Sequence, residues 1–106
     1  MAKNTKEKQR TIGYAAFKVS LADGVPPKGL APAVAALWYA ANGLWERAHE
    51  VAQKRDYAAG AWVHAYLHRI EGDEDNARYW YGRVGKPVAS VSHDKEWEAI
   101  AKTLLS

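Results

Sequence analysis

The chain has no cysteine in its 106 residues. A disulfide framework, a thiolate metal site and a thiol nucleophile are therefore all excluded. The absence also agrees with a reducing, cytoplasmic setting. No run approaches the roughly 18 apolar residues that a membrane-spanning helix needs. No apolar block of signal-peptide length follows the start Met1-Ala2-Lys3-Asn4-Thr5-Lys6-Glu7. Phenylalanine is nearly missing too, with one residue against five tryptophans and six tyrosines. Trp and Tyr join a large apolar body to a polar handle, which suits half-buried positions and interfaces.

The net charge of +3 is confined to one end. Residues 1–10 carry Lys3, Lys6, Lys8 and Arg10 against Glu7 alone, which leaves eleven basic and eleven acidic side chains among the 15 and 12 of the whole chain. Such a segment reads as a disordered basic tail. The remainder, 11–106, reads as one domain without the charge footprint that phosphate binding demands, so nucleic acid is not expected as a partner.

Helical periodicity runs through that domain. Ile12, Ala15, Ala16 and Val19, with Phe17 beside them, predict a short N-terminal helix. A connector near 22–29 holds Pro26 and Pro27, which forbid continuation. Leu30 to Asn42 is apolar on almost every side, which predicts a central helix entered through Pro32 and closed by Gly43. The next helix spans about Leu44 to Arg55, with Leu44, Ala48, Val51 and Ala52 as its buried stripe. Asp56 is placed to cap a third helix whose inner face is Ala58, Trp62, Ala65, Tyr66 and Ile70. Asp73 caps a fourth, with Ala77, Trp80, Tyr81 and Val84 inward, and Gly85-Lys86-Pro87 ends it. Ser92 or Asp94 opens a last helix, about 92–105, with Trp97, Ile100, Ala101, Leu104 and Leu105 in one stripe. The fold class expected is all-α.

Two units, about 30–56 and 57–87, align at an offset of 29 residues: Ala36 with Ala65, Gly43 with Gly72, Ala48 with Ala77. The alanines allow close helix approach and the glycines make the reversal. Neither helix pair covers its apolar face alone, so the pairs are expected to stack beneath the last helix as a cap. The pattern resembles the tetratricopeptide repeat. Ala36, Tyr39, Gly43, Trp45 and Ala48 match its first unit, and Ala65, Gly72, Ala77, Tyr81 and nearly Pro87 its second. The period of 29 is shorter than the family's usual 34, His68 stands where an aromatic is expected, and the first unit lacks its closing proline. The run from Ala61 to Tyr81 is also similar to a group of small uncharacterised bacterial proteins. The repeat resemblance implies a groove that binds a protein or peptide.

Site candidates follow from residue type and spacing. His64 and His68 share a helix face and suit a shared metal ion, with His49 or Glu50 as a third ligand. The zincin pattern needs a Glu directly after the first histidine, and Ala65 stands there. At 100° per residue from Trp62 the two imidazoles fall at about 200° and 240°, away from the apolar arc. Hydrogen bonding across the helix pair is thus favoured over a metal, and no cofactor or metal is assigned. Arg69 falls at about 340°, inside the apolar arc, and must stack or pair with a carboxylate such as Glu50 or Asp73, or hold a ligand. Tyr79 faces outward beside Asn76 and Arg83 in the manner of an interface residue.

No catalytic residue emerges: there is no phosphate loop, calcium loop or nucleophile elbow. The expected function is a non-enzymatic protein- or peptide-interaction module, a monomer or weak homodimer. Its binding residues are drawn from Trp38, Trp45, His49, His64, His68, Arg69 and Tyr79. The alternative is a small-molecule or metal-binding protein or enzyme using the histidine face.

Overall fold

The computed structural model describes residues 12–54 and 58–106. The basic tail and the expected cap at Asp56 lie outside them. Among the described residues the chain forms six helices and no strand: α1 Tyr14–Ser20, α2 Pro32–Ala41, α3 Trp45–Ala52, α4 Ala58–Glu71, α5 Glu74–Arg83 and α6 His93–Leu104. None of them is long and apolar enough to cross a membrane.

Local chemistry fixes the helix ends. Pro32 enters α2 at its first turn, where the missing N–H has no partner to lose. Asp73 accepts from the backbone N–H of Asn76, and Ser92 from that of Lys95. The turns after α2 and α4 are copies of each other. Gly43 and Gly72 sit at φ 76° and 90°, conformations that a Cβ disfavours. Gly43 N–H donates to Ala40 O and Leu44 N–H to Tyr39 O. Gly72 N–H donates to Arg69 O and Asp73 N–H to His68 O. The offset of 29 residues visible in the sequence is therefore an offset between two equivalent helix-ending motifs.

Each turn folds the chain back, so α3 lies on α2 and α5 on α4. Ala36, Ala48, Ala65 and Ala77 are all buried at these crossings, as their small size predicts. The last helix covers the core as its stripe predicts: Trp97, Ile100, Ala101 and Leu105 are buried, and the Trp97 indole donates to Leu37 O at 2.8 Å.

Three expectations are corrected. Periodicity places the central helix at 30–42, but α4 is the element that touches α2, α3, α5 and α6. It buries Gly60, Ala61 and every residue from Val63 to His68. Small residues and histidines carry little hydrophobic signal, so a helix enclosed on most sides looks one-faced. In α1, Val19 is 73% exposed and the buried residues are Phe17 and Ser20. Phe17 stacks on Trp97 at 5.8 Å, and Ser20 Oγ accepts from the Trp38 indole at 3.2 Å. One large ring and one indole partner outweigh the alanine stripe in setting the helix's rotation. Leu44, expected inside, is exposed because it is the residue before α3, at the glycine turn.

Arg69 finds neither Glu50 nor Asp73. Its Nη1 donates to Glu96 Oε1 at 2.7 Å and its Nη2 to the Val91 carbonyl. The Tyr81 hydroxyl donates to the other Glu96 oxygen. A carboxylate that is 4% exposed thus ties α4, α5 and α6 together. Burial and the neighbouring Glu96 raise the Tyr81 hydroxyl pKa well above its ordinary value. The Tyr66 hydroxyl is pushed up to about 12, by burial first and then by Glu96 and Asp94.

Candidate metal centre

Between α3, α4 and α5 three imidazoles meet. His49 comes from α3, while His64 and His68 lie one turn apart on α4. Ring centroids are 4.5 Å apart for His49 and His64, 5.2 Å for His49 and His68, and 4.8 Å for His64 and His68. One nitrogen from each ring lies within 4.8 Å of the other two. His64 and His68 are only 5% and 8% exposed. The helical geometry places them on one face, but that face turns inward because α3 and α5 close over α4.

Two tryptophans wall the group. Trp45 stacks on His49 at 4.8 Å and meets His68 edge-on at 6.0 Å; its indole N–H donates to Leu67 O at 2.8 Å, which fixes the ring. Trp80 stacks on His64 at 4.1 Å with 16° between planes. Indole faces on two sides leave the imidazoles little room to rotate.

The hydrogen bonding is uneven. His68 Nδ1 lies 2.8 Å from Glu71 Oε1, one turn further along α4. Among the described residues His49 and His64 have no hydrogen-bond partner, yet no fully buried side-chain nitrogen or oxygen is left unpaired. The His64 nitrogens therefore keep an opening to solvent. Electrostatics keeps the cluster receptive to a cation. Burial, followed by the nearby His49 and His68, lowers the His64 pKa to about 4. His49 is lowered by burial and by His68, against a smaller opposing pull from Glu71. At neutral pH His64 is an uncharged base with a lone pair, the form that binds metal.

This donor set has a definite chemistry. Three imidazole nitrogens suit zinc, copper, nickel or cobalt and are poor ligands for calcium or magnesium. A carboxylate bonded to one ring nitrogen of a histidine leaves the other for a metal and raises its basicity, and Glu71 makes that bond to His68 Nδ1. A second group, His68, Glu71 and Asp73, has the spacing of a metal site as well. Asp73 is already engaged as the cap of α5, so the three-histidine set has the freer donors.

Comparison with models of protein families, with curated proteins and with solved structures finds no match to this chain.

The expected site residues divide. His49, His64, His68 and Trp45 come together. Trp38 does not join them: it is 1% exposed and held by Ser20, so as core it lines no groove, which corrects its expected role. Arg69 is occupied by Glu96 on another side of α4. Tyr79 is 57% exposed and meets Trp80 edge-on at 5.2 Å. Sequence reasoning missed Glu71 and Trp80 as members of the site. The signal for Glu71 was its place three residues after His68, on the same helix face; the zincin pattern directs attention to the position after His64 instead. For Trp80 no local signal distinguishes packing on apolar core from packing on an imidazole.

Proposed function

We propose that this chain is a small helical protein that binds one divalent transition-metal ion, of the zinc class, through His49, His64 and His68. One observation carries the reading: three imidazoles from two helices converge, with Glu71 orienting His68. The outward angle of His64 and His68 favours hydrogen bonding across the helix pair in the sequence, but both rings are buried and His68 bonds to Glu71 on its own helix. The nitrogens of His49 and His64 support the same reading: no protein group occupies them among the described residues, so they are free to ligate.

Thermal unfolding with and without zinc tests it. Free zinc at a hundred times its dissociation constant stabilises the folded chain by about 2.7 kcal/mol. His64→Phe, His49→Ala and His68→Ala abolish that gain, and Glu71→Gln weakens zinc binding by about 10- to 100-fold. Tyr79→Ala leaves the gain unchanged. An equal zinc response in all the histidine variants would overturn the proposal.

A second reading, a peptide-binding module of tetratricopeptide-like kind, is favoured by the exposed ring of Tyr79 beside Trp80 and by the repeated turn at Gly43 and Gly72. It requires Tyr79→Ala to lose a partner that zinc and the histidine variants leave untouched.

A further inference from the structure

Resting on the metal reading, we infer that the ion held by His49, His64 and His68 keeps a fourth, exchangeable position, and that this position takes water or a small anion such as a carboxylate. Among the described residues no fourth His, Cys, Asp or Glu joins the group. Zinc-class ions are four-coordinate when all their ligands come from the protein, whereas sites with three protein ligands hold a replaceable one. Two of the three ligands border solvent. His49 forms part of the edge of a depression of about 420 Å³ on the outer side of α3, shared with Trp45, Glu46, Arg47, Glu50 and Gln53. The His64 nitrogens also retain contact with solvent.

Charge selects the ligand class. Three neutral imidazoles leave the ion a net positive charge that Glu71, behind His68, offsets only in part, and the flanking indoles of Trp45 and Trp80 exclude water from two sides. Attraction between a cation and an anion strengthens as the surroundings become less polar, so an anion outcompetes a neutral donor at the open position. Two carboxylates line the depression, Glu46 one turn before His49 on the same helix face and Glu50 directly after it. A rotation of either exposed side chain onto the ion would close the site, which makes them the rivals to an external anion.

Cobalt(II) loaded into the full chain, titrated with azide and followed by visible absorption, tests this. The expected result is a set of cobalt bands that azide changes to saturation with one-to-one stoichiometry, in the native chain, Glu46→Gln and Glu50→Gln alike. Bands that azide leaves unmoved in the native chain overturn the open position while the metal reading stands; if Glu46→Gln or Glu50→Gln then becomes responsive, that carboxylate is the fourth ligand. Absence of cobalt bands in the native chain overturns both.

Discussion

Glu96→Ala lowers the unfolding free energy by about 3–5 kcal/mol, the cost of leaving a buried ion pair half-made. The carboxylate is the junction of three elements: Arg69 from α4 on one oxygen, Tyr81 from α5 on the other, and its own helix α6. Removing it strands a guanidinium that is 17% exposed and a phenolic hydroxyl that is almost wholly enclosed. Arg69 retains the Val91 carbonyl, but a carbonyl does not neutralise its charge. Glu96→Gln keeps the shape and one acceptor oxygen, so its loss is smaller than that of the alanine variant. Tyr81→Phe removes the hydroxyl's bond to Glu96 and its contact with the Ala89 backbone N–H, and costs about 1–2 kcal/mol. Urea unfolding at pH 7 checks the series. A loss below about 1 kcal/mol for Glu96→Ala would mean that Arg69 reaches solvent freely once its partner is gone.

The second large effect is a dependence on pH that originates in the histidine cluster. His64 has a folded pKa of about 4 against an ordinary value of 6.5. Between those values the unfolded chain holds the proton and the folded chain does not, so folding releases it and stability rises with pH. The contribution is fully present above about pH 6.5 and is lost as pH falls towards 4. A difference of this size corresponds to about 3 kcal/mol at most, reduced to the extent that the ring nitrogens stay wetted. His49 is shifted in the same direction and adds to the slope. Since carboxylates titrate in the same range, the informative quantity is the difference between the native chain and His64→Phe. Phe keeps a flat ring on Trp80 and has no proton to gain. In chelator, the native chain should lose stability faster than the variant from pH 6.5 to 4.5. Parallel curves would show that His64 is not protected from protonation.

The parts of this fold that rest on backbone and helix-end chemistry were legible in the sequence. Gly43 and Gly72 mark the two reversals, Asp73 and Ser92 the two caps, and the alanines Ala36, Ala48, Ala65 and Ala77 the crossings. The stripe of α6 was equally plain, because Trp97, Ile100 and Ala101 stand out against charged neighbours. What the pattern hid was the direction of α4. Its buried face includes Gly60, Ala61, His64 and His68, residues whose types do not announce burial. The histidines therefore sort outward by periodicity, although α3 and α5 enclose them. Arg69 was recognised as a buried cation in need of a carboxylate, but its partner lies 27 residues away on α6. A pairing at that separation depends on how α6 crosses the core, which no local spacing encodes. The site was half legible for the same reason: the i, i+4 pair of His64 and His68 is local, while His49 and Trp80 join it only through packing.

The central claim is that three imidazoles share one ion. X-ray absorption at the zinc edge, on the chain loaded with one equivalent, counts them. Nitrogen neighbours at about 2.0–2.1 Å, with outer scattering that fits three histidine rings and falls to two in His64→Phe, is the predicted result. A shell of oxygen neighbours with at most one ring, unchanged by His64→Phe, would contradict it.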